Sequence, residues 1–283
     1  MPESRPALSA SHRHLLDIWL GDWSVVADHS WPLQETAVLK VRSRSGEHIV
    51  KASETSHHIG REIAAHRDVL NALHDLPAPR LQFADIQAGI LVTEYLPGRL
   101  LLGTPEQEHP DYFEQAGAIL ARLQVPGPLS DEYLDAVAAR TLDGIERAEC
   151  LVDDLSRRRL KMKLRSLSRH PVRLYFTHGD YQPRNWLVHE GRIAVIDFGR
   201  GAQRSWVSDL VRLRSKDFHD RPELEAAFMR GTGRELDADD LAVLELETMR
   251  EAVGTVVWSH GIGDDDFEEH GRVMIRRLLE DDA

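Results

Sequence analysis

At 283 residues the chain is long enough for one large domain or two moderate ones with ample core. Its 35 Lys and Arg against 47 Asp and Glu give a net charge of −12. That balance argues against nucleic acid or an anionic membrane as the main partner and favours a cationic small molecule, although the same surplus also serves plain solubility. A single cysteine, Cys150, excludes an intrachain disulfide framework and any multi-cysteine metal site. With no apolar run of about 18 residues and no apolar core between Met1 and Ser11, the expectation is a soluble cytoplasmic protein.

In chain order, Leu15, Leu16, Trp19 and Leu20 share a helical stripe ended by Gly21. The period then changes to short extended runs over 23–27, 36–44 and 47–52, which predicts three antiparallel strands with a turn at Ser45-Gly46. Lys51 lies in the third strand, just before a polar Ser53 to Ser56 segment that caps a helix over 57–74, with Glu62 in its early turns. A strand lysine paired with a helix glutamate can hold nucleotide phosphates. Taken singly, Lys51 also reads as a solvated strand residue and Glu62 as a charge favouring a helix N-terminal turn. Pro77 and Pro79 end the helix, strands follow over 81–86 and 89–95, and Leu96-Pro97-Gly98 breaks the pattern. That break divides the chain into a β-rich part with one inserted helix, residues 1–95, and a mostly helical part, residues 96–283. In the second part, apolar spacing predicts helices over 110–124, 130–150, 152–168, 205–213, 222–229, 238–260 and 265–279. A strand over 172–176 and a hairpin over 186–196 interrupt them.

The stretch from His178 to Gly199 carries the chemistry. It reads H-x-D-x-x-x-x-N, then the apolar run Ile193-Ala194-Val195-Ile196, then Asp197-Phe198-Gly199. Phosphoryl transfer needs a group to accept or orient the proton of an attacking hydroxyl, which suits Asp180, and oxygen ligands for a hard cation. Asn185 and Asp197 supply one neutral and one anionic ligand of that kind, matching Mg²⁺. His178 reads as structural, its imidazole holding the loop through backbone hydrogen bonds. Asp and Asn in loops are commonly turn formers. The joint order carries the assignment: strand lysine, helix glutamate, Pro-Gly break, H-x-D-x-x-x-x-N, hairpin and D-F-G.

On these motifs the chain resembles the aminoglycoside phosphotransferase and choline kinase type enzymes, a branch of the protein-kinase-like fold. The match runs from about Val25 to His260 and is most specific between Tyr175 and Arg200. The resemblance implies an α+β, bilobal protein-kinase-like fold, with an antiparallel β-sheet N-lobe holding one helix and a mostly helical C-lobe. It implies Asp180 as the catalytic Asp, Asn185 and Asp197 as metal ligands, Lys51 as the phosphate-contacting lysine and Glu62 as its ion-pair partner. ATP, or GTP in its place, and Mg²⁺ are the implied cofactors. Thr93-Glu94-Tyr95 takes the hinge position, with the Thr93 carbonyl and the Tyr95 amide binding adenine. Gly179 stands where regulated protein kinases often carry Arg, and no A-P-E follows the D-F-G, so a small-molecule acceptor is implied rather than a peptide. The turn over 29–36 contains no glycine, so a loop hydroxyl or amide replaces the glycine-rich phosphate cover of protein kinases.

For the acceptor, Asp264, Asp265 and Asp266 with Glu268 and Glu269 form a dense acidic cluster, and Trp258 is placed to stack on a ring. The same acids read equally as a favourable helix start, and Trp258 as core. The expected function is an ATP-dependent phosphotransferase acting on a hydroxyl of a cationic antibiotic, an aminoglycoside or a basic peptide, and conferring resistance. One alternative is a metabolic kinase for choline, ethanolamine, another amino alcohol or a sugar. The other is a kinase-like nucleotide-binding protein without activity, against which stand Lys51, Asp180, Asn185 and Asp197, all retained.

Overall fold

The computed structural model describes residues 7–31, 35–55 and 57–280. Helix α1 (Ala10–Leu20) starts from a capping box in which the His12 amide donates to Ser9 Oγ and the Ser9 amide to His12 Nδ1. Strands β1 (Trp23–Asp28), β2 (Ala37–Ser43) and β3 (Gly46–Ala52) follow, then α2 (His57–Asp68), β4 (Leu81–Asp85) and β5 (Ile90–Glu94). Next come β6 (Arg99–Leu100), α3 (Pro110–Leu123), β7 (Pro126–Ser130), α4 (Tyr133–Arg147), α5 (Asp154–Ser166) and β8 (Val172–Thr177). The chain continues through β9 (Trp186–His189), β10 (Arg192–Val195), β11 (Ala202–Arg204), α6 (Val211–Ser215), α7 (Pro222–Thr232), α8 (Ala238–Ile262) and α9 (Asp265–Glu280).

These elements pack as two compact units. One comprises residues 1–125, 178–202 and 226–233, the other residues 126–177, 203–225 and 234–283. In the first unit, five antiparallel strands form a sheet in the order β1-β2-β3-β5-β4. Strand alternation assigns its faces. Ala37, Leu39, Val41, Val50, Ala52, Ile90 and Val92 pack with Leu16 and Leu20 of α1. Leu91, of opposite phase, packs with Ile59 and Ile63 of α2. A second sheet, β10-β9-β6, belongs to the same unit. Beside it lie the rings of Phe113, Tyr181, Trp186 and Phe228, with Trp186 centred 5.4 Å from Phe113 and 5.2 Å from Tyr181. Helix α3 touches the end of α7 backbone to backbone: a Cβ on Gly117 would lie 2.1 Å from the Phe228 carbonyl oxygen, and one on Gly231 would lie 2.0 Å from that of Glu114.

In the second unit β8 runs between β7 and β11, and helix α8 supplies a buried carboxylate. Glu247 accepts hydrogen bonds from the Tyr133 hydroxyl, from Ser208 Oγ at 3.0 Å and from Arg250 Nε at 3.0 Å, so its charge is buried with partners. Among the described residues no helix is long and apolar enough to cross a membrane.

Three departures from the sequence expectation have local causes. The helix expected over 57–74 ends at Asp68, because Val69 leaves helical geometry at φ −125°, and a 3₁₀ turn over Leu70–Ala72 completes the segment. Ser56, at the end of its expected cap, lies outside the described residues. The Pro126-Gly127-Pro128 stop is itself strand β7, which tolerates proline because it lies at a sheet edge and slips register between Pro126 and Leu129. The helix expected over 205–213 is a 3₁₀ turn, Trp206–Asp209, followed by the short α6.

Two glycine substitutions separate close approach from mere helix propensity. Gly117→Ala should destabilise the protein by about 3 kcal/mol or more, since carbonyl backbone cannot yield as a side chain can. Gly254→Ala, at an exposed position inside α8 with nothing within 4 Å, should stabilise it by about 0.5–1 kcal/mol. Urea unfolding midpoints of the two variants check both signs.

Candidate active site

The first unit gathers the residues singled out from the central motif. Lys51 sits mid-strand in β3, opposite Val38 on one side and Leu91 on the other, with its side chain almost entirely buried. Its Nζ donates to both carboxylate oxygens of Glu62 on α2, at 2.8 and 2.9 Å, and to Asp197 Oδ1 at 2.7 Å. Burial works against the ammonium, but Asp197 and Glu62 outweigh it and raise the Lys51 pKa, so the side chain stays charged. Burial also pushes the Glu62 carboxyl up, which Lys51 only partly offsets. Lys51 in turn holds the Asp197 carboxyl below its ordinary range. Asp197 follows β10 with φ of 70°, a left-handed conformation uncommon outside glycine, and its side chain remains 48 % exposed.

The loop before β9 is tied to the same point. Gly179 takes φ of 77°, which a side chain would strain. His178 is fully buried: its Nε2–H donates to the Ile196 carbonyl at 3.0 Å and its Nδ1 accepts from the Asp180 amide at 3.2 Å, the structural role its position suggests. The Ile196 amide donates to the Asn185 carbonyl at 3.0 Å. Asp180 is 3 % exposed. Its Oδ1 accepts from Gln182 Nε2, and its Oδ2 from Arg184 Nη2 at 2.5 Å and Asn185 Nδ2 at 3.1 Å. Asn185 Nδ2 also donates to the Asp180 carbonyl at 2.8 Å, which leaves Asn185 Oδ1 as the free end of that amide. Phe198 lies between two rings, 4.9 Å from His178 and 5.8 Å from His66. His58 Nδ1–H donates to the Gly199 carbonyl at 2.9 Å. The contacts of Arg184, His58 and His66 were not foreseen; of the three, only Arg184 carried a signal, as the one cation between Asp180 and Asn185.

The backbone hydrogen bonds around Thr93-Glu94-Tyr95 differ from expectation. The Tyr95 amide, expected to bind adenine, donates instead to the Glu47 carbonyl at 3.2 Å. Ladder hydrogen bonds recur every second residue, so Thr93, opposite Ile49, faces β3 as well. The Glu94 amide points the other way, to the Arg80 carbonyl at 2.9 Å, and the Arg80 amide bonds Glu94 Oε1 at 3.1 Å rather than the Glu94 carbonyl. The Glu94 carbonyl and the Leu96 amide therefore remain without a partner among the described residues. Residues 32–34 of the turn expected over the phosphates lie outside the described residues.

The residues expected to bind an acceptor belong to the second unit. Asp264 Oδ1 accepts from the Phe267 amide at 3.0 Å, as a helix cap does. Glu268 is 5 % exposed and engaged by Arg272 and by His260 Nδ1 at 3.1 Å. Asp265 and Asp266 are exposed. Trp258 is 42 % exposed and meets Phe267 edge-on with ring centroids 6.0 Å apart, so it is not core.

Among the described residues no group of three or more His, Cys, Asp or Glu forms a closed metal cage. Asn185 Oδ1 and the second oxygen of Asp197 fit a hard cation that takes its remaining ligands from phosphate and water.

His66 provides a pH test of this packing. It is fully buried, and neither ring nitrogen has a hydrogen-bond partner. Burial first, then the charges of Lys51 and Arg80, lowers its pKa from 6.5 to about 4. As pH falls below about 6.5 the unfolded chain takes up a proton that the folded one refuses until about 4, so stability is lost across that window. Between pH 7.5 and pH 5 the loss from this group is about 2 kcal/mol. His66→Phe should reduce the acid sensitivity of the urea midpoint by that amount.

Solved structures similar to the chain share its α+β, protein-kinase-like fold. A thermostable mutant of aminoglycoside phosphotransferase APH(4)-Ia, in its apo form, has a TM-score of 0.68 at 14 % identity, over 95 % of this chain and 99 % of that one. Macrolide 2'-phosphotransferase MphH from Brachybacterium faecium has a TM-score of 0.64 at 18 % identity, over 93 % of this chain and 97 % of that one. The GDP and kanamycin complex of APH(2")-IIia has a TM-score of 0.68 at 15 % identity, over 97 % of this chain and 100 % of that one. No curated protein matches the chain by sequence. Residues 30–246, most of the chain and all of the site described in the first unit, match the phosphotransferase enzyme family (APH), and the chain belongs to that family as a small-molecule kinase.

Proposed function

We propose that the chain transfers the γ-phosphoryl group of ATP, with Mg²⁺, to a hydroxyl of a cationic antibiotic, an aminoglycoside or a basic peptide, and so confers resistance in the cytoplasm. The observation that carries the reaction is the convergence of Lys51, Glu62 and Asp197 with Asp180 and Asn185 in one unit. In this reading residues 1–95 form the nucleotide-binding lobe, and residues 96–283 hold the catalytic loop and the acceptor site.

Lys51, held by Glu62, turns the N–H it gives Asp197 toward the nucleotide phosphates. We assign adenine recognition to the Glu94 carbonyl and the Leu96 amide, because Thr93 and Tyr95 face β3. Asn185 Oδ1 and Asp197 would hold Mg²⁺, which offsets charge on the phosphate oxygens when bound. Asp180 accepts the proton of the acceptor hydroxyl. Trp258 with Asp264, Asp265 and Asp266 forms the proposed wall for a cationic acceptor, and Glu268 anchors it through Arg272 and His260. The kanamycin complex of one structural neighbour supports an aminoglycoside acceptor, and the macrolide enzymes among the neighbours widen the panel worth testing.

Incubation with ATP, Mg²⁺ and a panel of aminoglycosides, basic peptides, macrolides, choline, ethanolamine and sugars, followed by mass spectrometry, should yield a singly phosphorylated antibiotic. Transfer only to choline, ethanolamine or a sugar replaces this reading with the metabolic one, and nucleotide binding without any transfer replaces it with an inactive binder. Asp180→Asn should lower kcat by roughly 10²–10⁴-fold with nucleotide affinity changed only a few-fold. Leu96→Pro, which deletes the proposed adenine donor, should weaken nucleotide binding about tenfold in a direct titration.

A further inference from the structure

We infer that Arg184 is a further catalytic residue: it caps Asp180 in the free protein and, once nucleotide is bound, swings to a non-bridging oxygen of the γ-phosphoryl group and stabilises it during transfer. The inference rests on the phosphotransfer reading of this site.

The Asp180 carboxylate is crowded by donors. Asp180 is 3 % exposed, with Oδ1 taken by Gln182 and Oδ2 shared between Arg184, at 2.5 Å, and Asn185, at 3.1 Å. A hydroxyl that gives its proton to Asp180 must come within hydrogen-bond distance of one of those oxygens, in a buried pocket that three donors already crowd, and the departure of one of them opens that approach. Gln182 and Asn185 are buried, at 5 % exposed each, whereas the Arg184 side chain is 42 % exposed. The donor with room to leave is therefore Arg184, the one that solvent already reaches.

Once displaced, the guanidinium needs an anion. Of its five N–H groups, only one on Nη2 has a partner among the described residues, so the planar fork is available for bidentate contact with phosphate. A hydroxyl bonded to Asp180 attacks phosphorus from about 3 Å, which brings the γ-phosphoryl oxygens to within roughly 6 Å of that carboxylate. A rotamer change of Arg184 spans that distance. Lys51 cannot take the task alone, because its ammonium is already shared between Glu62 and Asp197. In the step itself, the acceptor oxygen forms a bond to the γ-phosphorus while the bond from that phosphorus to the β,γ-bridging oxygen breaks. The nucleoside diphosphate leaves with the bond's electron pair, and the hydroxyl proton passes to Asp180. Arg184 offsets the charge on the equatorial oxygens throughout.

The test needs no acceptor. With Mg²⁺ present, ADP binding is titrated with and without aluminium fluoride, which mimics the transferring phosphoryl group. Wild-type protein should bind the aluminium fluoride complex at least about 50-fold more tightly than ADP alone. Arg184→Ala should lose about tenfold or more of that gain, with ADP affinity nearly unchanged and the protein still folded at the assay temperature, and Arg184→Lys should retain part of it. Millimolar guanidinium ion should restore part of the gain to Arg184→Ala. If Arg184→Ala keeps the full wild-type ratio, the residue only positions Asp180 and the inference fails while the site reading stands. If wild-type protein shows no gain from aluminium fluoride, the phosphotransfer reading fails and the inference with it.

Discussion

One ammonium shared between two carboxylates is the constraint on which the first unit depends. Lys51 lies 11 residues from Glu62 and 146 from Asp197, yet all three meet within hydrogen-bond distance. Charges taken out of water are tolerated only with partners, and removing one partner of a buried pair typically costs about 3–5 kcal/mol. β3, α2 and the segment after β10 must therefore all be in place before any of these charges is tolerated. The apolar phases comply: Leu91 faces Ile59 and Ile63, which docks α2 on the side of the sheet where Glu62 is needed. A one-residue slip of β3 would carry Lys51 to the opposite face and put an apolar side chain among the carboxylates.

A second set of contacts hangs from the same point. The Ile196 carbonyl accepts from His178, whose other ring nitrogen holds the Asp180 amide, so the position of Asp180 follows from the residue just before Asp197. Two left-handed residues, Gly179 and Asp197, permit the sharp turns this requires. The strain at Asp197 is tolerated because its carboxylate is held by Lys51. Asp180, Asn185 and Asp197 are thus positioned by one connected network rather than by two independent loops.

Much of this was legible because it is written locally. The alternation of Leu39 with Val41 and of Val50 with Ala52 reveals two strands, and the spacing from Asp180 to Asn185 is a property of one loop. What was not legible depends on phase or on partners distant in sequence. Whether Tyr95 or Leu96 offers its amide is decided by which neighbouring strand each residue faces, and a strand's sequence does not carry that phase. His66 stands in a helix rich in polar side chains, and only its packing against Phe198 reveals that it is buried without a hydrogen-bond partner. Glu268 counted in sequence as part of an acidic wall, but Arg272 one turn later is its partner. The strand formed by Pro126 to Ser130 is stabilised by its pairing with β8, against the ordinary meaning of its prolines.

The local charge balance bears on how a nucleotide is received. Lys51 and Arg184 are both hydrogen-bonded to carboxylates, Glu62, Asp180 and Asp197, so neither cation stands with its charge unmatched. Carboxylates near a polyphosphate oppose it, and on the proposed reading a divalent cation held by Asp197 and Asn185 would offset both charges. On the proposed reading Lys51 keeps its two bonds to Glu62 while the N–H on Asp197 turns to the phosphates, so it stays in place as they bind. The arginine on Asp180 is suited to the later step, because on the proposed reading moving it uncovers the group that would accept a proton. The two cations differ less in charge than in whether each stays in place or moves, and on that reading the difference assigns one to binding and the other to transfer.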